Sequence, residues 1–133
     1  MNNKILIVSA NYYKAISTNL EFGAINTLKE NDYQYEVINA PGCFEIPYII
    51  KKNINNFKGF ISLGCIIKGD TYHFEVIANE TSRKIMDLSV DFNVPIGFGV
   101  LTCYDLEQAI IRSDINQKNK GQEAALACIK LLK

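Results

Sequence analysis

The chain carries one histidine, His73, at the end of a short run, Ile67-Lys68-Gly69-Asp70-Thr71-Tyr72-His73, that joins an apolar segment to a helical one. Imidazole titrates near neutrality, so this side chain could carry a proton in a reaction. A helix N-terminus offers unpaired N–H groups and the positive end of a dipole, which suits a phosphate. Gly69 would let the main chain come close to such an anion, and Thr71 could donate its hydroxyl. The plainer alternative is that Asp70 or Thr71 only caps the helix, and pattern alone favours that cap. A lone histidine is likewise more often structural than catalytic. Gly64 to Thr71 also has P-loop spacing, but Asp70 stands at the lysine position. An acid there would repel a nucleotide phosphate, so a P-loop is excluded.

Other segments pair a chemical use with a plain one. Arg112, Lys118 and Lys120 flank a polar stretch and could bind an anion, the arginine through two parallel bonds. They could equally complement the dipole at a helix end. In Gly42-Cys43-Phe44-Glu45-Ile46-Pro47, the Glu45 carboxylate could accept hydrogen bonds from sugar-like hydroxyls, or simply favour a first helical turn. Tyr12 and Tyr13 could stack on a planar ring, or sit on a rim or interface. Asn79-Glu80-Thr81 matches a glycosylation sequon by chance, since it falls in mid-helix.

These residues need elements to hold them. Lys4 to Ala10 is a β-branched run, apolar on both faces, and reads as a buried strand. Ser17 and Thr18 offer a cap for a helix whose Leu20, Ala24 and Leu28 recur at helical spacing. Tyr35 to Asn39 is a second strand, closed by Pro41-Gly42. Pro47 suits the first turn of a helix reaching about Asn55. Gly59 to Ile67 is a third strand, followed by a long helix from about Tyr72 to Asp91. Pro95 to Leu101 is a fourth strand, weakened by glycines. Asp105 caps the next helix, and Ser113 to Asn119 separates it from a last one, Gly121 to Leu132. Strands alternating with helices predict a parallel sheet covered on both faces. Ligands of such sheets sit beyond the carboxyl ends of the strands. The chemically interesting residues fall there, at Asn11 to Tyr13, Pro41 to Glu45, Ile66 to His73 and Leu101 to Tyr104.

The bulk numbers bound the reading. A length of 133 residues fits one domain, with no internal repeat or linker to divide it. Lys+Arg and Asp+Glu are both 14, so the charge predicts neither nucleic-acid nor membrane-surface binding. No apolar run is long enough to span a bilayer. The opening Met1-Asn2-Asn3-Lys4 lacks a signal-peptide pattern, which predicts a cytoplasmic protein. Cys43, Cys65, Cys103 and Cys128 have no CxxC spacing and suggest neither a metal nor a redox pair. Cys65 and Cys128 read as small buried hydrophobes.

Taken together, four segments resemble the lumazine synthase family. Pro41 to Pro47 reads PGCFEIP, similar to its PGAFEIP segment. Gly64 to Phe74 reads GCIIKGDTYHF, similar to GxVIRGxTxHF. Phe98 to Thr102 with Glu107 to Arg112 resembles FGVLT…EQAIxR, and Asn119 to Ala125 resembles NKGxEAA. The match covers nearly the whole chain in the same order.

The resemblance implies an α/β, flavodoxin-like three-layer sandwich with a four-stranded parallel sheet. It implies the condensation of 5-amino-6-(D-ribitylamino)uracil with 3,4-dihydroxy-2-butanone 4-phosphate in riboflavin biosynthesis, with neither metal nor organic cofactor. Tyr12 would stack on the pyrimidine, and Cys43, Phe44 and Glu45 would hold the ribityl chain. Main-chain groups of Ile66 and Ile67 would read the pyrimidine edge. Gly69, Asp70, Thr71 and Arg112 would bind the phosphate, His73 would move protons, and Lys120 would contact the pyrimidine or fix the site. The family's site lies between subunits of a homopentamer, with Phe98, Arg112 and Lys120 from one chain and Tyr12, Phe44, Glu45 and His73 from the other. Against the family pattern, Tyr12 replaces the commoner Phe, Cys43 a smaller side chain, Lys68 an Arg, and Ile111 an acid. The rivals are an archaeal-type riboflavin synthase, a non-catalytic ligand carrier or shell protein on the same fold, and a flavodoxin-type flavin binder.

Overall fold

The computed structural model describes residues 3–133; Met1 and Asn2, part of the opening segment read above for a signal peptide, lie outside the described residues. Four strands alternate with helices: β1 (Ile5–Ala10), α1 (Lys14–Glu30), β2 (Tyr35–Ala40), α2 (Ile46–Lys52), β3 (Gly59–Ile67), α3 (His73–Phe92), β4 (Ile96–Cys103), α4 (Leu106–Ser113) and α5 (Lys120–Leu132). All strand pairs are parallel, in the order β2-β1-β3-β4. This is the parallel sheet between helices that the alternation predicts, and the flavodoxin-like α/β sandwich that the resemblance implies.

Strand periodicity divides the core in two. Ile5, Ile7, Ile61 and Leu63 pack with Leu20, Leu28, Ala109 and Ala125, which places α1, α4 and α5 on one face. Leu6, Val8 and Phe60 pack with Ile46, Ile50, Ile85 and Leu88, which places α2 and α3 on the other. Each of the β1 residues Ile5 to Val8 is 0% exposed. Full burial of such a side chain contributes roughly 1.5–3 kcal/mol, so β1 anchors both layers. The glycines of β4 have a packing reason: a Cβ on Gly97 would collide with the Ala124 carbonyl, so α5 lies directly on the strand. What reads as weakness in the sequence is close approach of backbone to backbone.

Several boundaries differ from expectation. Helix α1 begins at Lys14, with Tyr13 at the cap position and no side-chain cap bond. Ser17, read as a cap, lies inside the helix and is 3% exposed; its Oγ donates to the Lys14 carbonyl at 3.1 Å. Helix α2 stops at Lys52, where the Asn53 side chain donates to the Ile49 carbonyl at 2.8 Å instead of prolonging the helix. Asp105 does cap α4, accepting from the Gln108 N–H at 2.9 Å. Asn119 caps α5 from a left-handed conformation at φ 45°, and the helix starts at Lys120, one residue before the expected Gly121.

Candidate active site

Sequence order reverses between β1 and β3: β2 lies to one side of β1, and β3 and β4 to the other. Loops leaving adjacent strands in opposite directions open a crevice at such a switch point. A cavity of about 630 Å³ opens there. Its walls come from the segments after β1, β2 and β3, and they include Tyr12, Cys43, Phe44, Glu45, Ile66, Ile67 and His73. All seven were expected from the sequence, and one cavity brings them together.

The turn after β2 is a single 3-10 turn, Cys43–Glu45, that runs directly into α2. It buries Cys43 and leaves Phe44 and Glu45 exposed. The thiol sits over Gly64 of β3, where an added Cβ would come 2.6 Å from Cys43 Sγ. The sulfur therefore points into the core, and the larger residue does not fill the cavity. Burial pushes the Cys43 thiol up to about 11 and the Cys65 thiol, also on the wall, up to about 12. Both stay protonated and unreactive near neutrality. Phe44 is 55% and Tyr12 76% exposed, so their rings are open to a planar ligand. The Glu45 carboxylate makes no hydrogen bond or ion pair among the described residues, leaving its oxygens free to accept.

After β3, the loop from 68 to 72 is held at both ends. The Lys68 N–H donates to the Cys103 carbonyl at 2.9 Å. Its ammonium lies 2.8 Å from Glu75 Oε2 and 5.6 Å from the centre of the Phe74 ring. The hydrogen bond to Glu75 raises the Lys68 pKa and lowers that of Glu75. Gly69, Asp70 and Thr71 lie exposed between these anchors, beside the cavity and outside its walls. Thr71 Oγ1 accepts from the His73 N–H at 3.3 Å, so the threonine tightens the start of α3 while the named cap position falls to Tyr72. A Cβ on Gly69 would meet nothing within 4 Å, so packing inside the chain gives no reason for glycine there. The His73 imidazole has no partner among the described residues and lines the cavity.

A scan against family models matches residues 2–133 to 6,7-dimethyl-8-ribityllumazine synthase. Among curated proteins, the 6,7-dimethyl-8-ribityllumazine synthase of Bartonella tribocorum is 43% identical, covering 97% of this chain and 89% of that protein. The protein of the same name from Novosphingobium aromaticivorans is 44% identical over 97% of this chain and 94% of its own length. That from Zymomonas mobilis is 41% identical over 96% and 93%. The chain belongs to the 6,7-dimethyl-8-ribityllumazine synthase family.

The remaining lumazine synthase residues expected at the site do not reach the cavity of their own chain. Phe98 lies in the middle of β4, paired in register with Ser62, and is 45% exposed. Half-buried Arg112 ends α4, with Nη1 donating to the Gln108 carbonyl at 3.2 Å. No carboxylate pairs with it among the described residues, so Ile111 in place of the family's acid leaves the guanidinium unneutralised. Lys120 opens α5 and pairs with Glu123 at 3.2 Å. The chain thus separates its expected residues into a cavity set, the exposed loop Gly69 to Thr71 beside it, and a β4–α4–α5 set.

The cavity also uses residues to which the family resemblance gave no role, Tyr13 among them, whose ring the sequence offered beside Tyr12 for stacking. Tyr13, Pro41 and Gly42 lie in strand-end segments already marked as ligand-facing. Ile77 is one turn beyond His73, and helical spacing from the histidine would have found it. Cys65 gave no signal apart from its apolar surroundings.

Proposed function

We propose that this chain condenses 5-amino-6-(D-ribitylamino)uracil with 3,4-dihydroxy-2-butanone 4-phosphate to give 6,7-dimethyl-8-ribityllumazine, phosphate and water, as a transferase of riboflavin biosynthesis. The observation that carries this is the convergence of Tyr12, Cys43 to Glu45, Ile66, Ile67 and His73 on one cavity at the switch point, in a chain of this family.

The Tyr12 ring stacks on the pyrimidine. The turn Cys43–Glu45 holds the ribityl chain through backbone groups and the free Glu45 carboxylate. Main-chain groups of Ile66 and Ile67 read the pyrimidine edge. Gly69, Asp70 and Thr71 receive the phosphate at the start of α3, with Arg112 supplying the charge. The amine attacks the ketone and His73 moves the protons as a Schiff base forms and water leaves. Phosphate then departs, the enol becomes a ketone, and the ribityl-bearing nitrogen attacks that ketone to close the ring with loss of a second water. Holding two reactants in one site supplies much of the rate, and Arg112 favours the anionic leaving group. An unneutralised Arg112 supports a phosphate-bearing substrate over the dismutation of a riboflavin synthase, which has none. The chain acts as one domain, needs no metal or organic cofactor, and works in the cytoplasm. Four free, buried thiols suit a reducing compartment.

The site is completed by a second copy, in a homopentamer or an assembly of pentamers. Phe98, Arg112 and Lys120 of one chain meet the cavity of its neighbour. Two exposed apolar surfaces support this. Tyr72 and Val76 at the start of α3 and Met86 and Val90 near its end expose apolar side chains on one face of the helix, while Tyr104, Leu106 and Ile110 are exposed at and just before the start of α4. A ring needs two such unlike patches on each chain.

The test is to mix purified protein with both substrates and follow lumazine formation by absorbance or fluorescence, against a blank and a His73→Ala/Arg112→Ala variant. Turnover above the blank that collapses in the variant is expected. A folded, assembled protein that gives no acceleration would overturn the reading.

A further inference from the structure

The cavity walls hold no lysine or arginine; Glu45 and His73 are their readily ionised groups. This part of the site therefore suits an uncharged, hydroxyl-bearing molecule, with the anion held outside it. Within these walls sits a phenol with no assigned role. The Tyr13 ring is half-buried and packs against the core layer under α1. It meets the Tyr12 ring edge-on, with centroids 5.0 Å apart at 81°. Its hydroxyl makes no hydrogen bond to the described residues. A phenol at a partly buried position normally finds a partner, and a cavity wall offers that partner in a ligand.

We propose that Tyr13 is a further substrate-binding residue, which donates its hydroxyl to the uncharged ribitylaminopyrimidine and braces Tyr12 at the angle from which it stacks. This rests on the reading given under Proposed function. Burial first, then Cys65, Tyr12 and Cys43, raise the phenol above its ordinary value, so it remains a donor through the working range. The Tyr12–Tyr13 pair gives the stacking ring a rigid neighbour in place of open solvent. The phosphorylated substrate, bound at the loop from 69 to 71 and by Arg112, has no share in this contact.

The test is Tyr13→Phe, which keeps the ring and the edge contact and removes only the hydroxyl. One lost neutral hydrogen bond predicts a KM for the pyrimidine about 3- to 10-fold higher. KM for the ketose phosphate and kcat should stay within twofold. Titration of the lumazine product, read by its fluorescence, should weaken by the same factor whether or not turnover is measured. An unchanged pyrimidine KM and product affinity would overturn the proposal, as would an equal rise in KM for both substrates. Absence of turnover in the unaltered protein would instead overturn the functional reading, so the two failures are distinguishable.

Discussion

Gly64→Ala tests the contact that sets the shape of the cavity. A Cβ at Gly64 would lie 2.6 Å from Cys43 Sγ, 3.3 Å from Ala10 Cβ and 3.7 Å from Ile46 Cδ1. Cys43, Ala10 and Ile46 are 7%, 2% and 0% exposed, so the methyl has no outlet to solvent. The sulfur must move by about 1 Å to reach ordinary contact, which for carbon pairs is about 3.5–4.0 Å. Overpacking of this kind costs about 1–3 kcal/mol. The φ of Gly64 is not in the left-handed region, so reduced freedom of the unfolded chain offsets about 0.4–1 kcal/mol. The net expectation is about 1–2 kcal/mol of destabilisation. Cys43 belongs to the same turn as Phe44 and Glu45, so relief of the clash displaces two cavity residues and activity falls with stability. Cys43→Ala removes the sulfur, and the double variant should recover, with a coupling of about 0.5–3 kcal/mol. Urea unfolding at fixed protomer concentration measures all four corners of the cycle. A single variant as stable as the parent, or no recovery in the double, would refute the assigned position of the thiol.

Arg112→Ala should raise KM for the ketose phosphate by about 10- to 100-fold through loss of a charged hydrogen bond, and Arg112→Lys should restore only part because the fork is lost; steady-state kinetics in both substrates reads this. Asp105→Ala removes the α4 cap and should cost about 1 kcal/mol in urea unfolding, with weaker phosphate inhibition because α4 carries Arg112. Burial holds the Cys43 thiol at about 11 and those of Cys65 and Cys128 at about 12, against an ordinary 9.0. The folded state therefore keeps protons that the unfolded chain has released. Stability from these groups is full below pH 9.0 and drains as pH rises from there toward 12, which alkaline unfolding curves should show. At pH 8, a thiol reagent should label the native protein slowly and all four cysteines after denaturation.

The parallel sheet was legible because each strand is a short β-branched run bounded by turn residues, and each helix carries its own apolar spacing. Boundaries were legible where a side chain does the capping, as at Asp105. They were misread where backbone geometry alone starts the helix, as at Tyr13, or where a candidate cap is buried inside it, as Ser17 is. The cavity half of the site was legible because its residues follow strand ends, where this architecture places ligands. The fit of Cys43 over Gly64 was not, because no local pattern joins residues from separate strand ends. That Phe98, Arg112 and Lys120 stand apart from the cavity was legible only through the family resemblance, which set them on another chain; no local pattern shows the course of β4, α4 and α5 in three dimensions.

Complementation between two inactive variants tests the shared site most directly. His73→Ala lacks the cavity group, and Arg112→Ala lacks the group assigned to the neighbour. With the ketose phosphate well below the raised KM of Arg112→Ala, each alone should be nearly inactive. When equal amounts are unfolded and reassembled together, roughly a quarter of sites in a randomly mixed ring should combine an intact His73 with an intact Arg112 from the adjacent chain. The account predicts that about this fraction of wild-type turnover returns. Mixed assemblies that remain as inactive as the separate variants would contradict it and place both residues in a site formed within one chain.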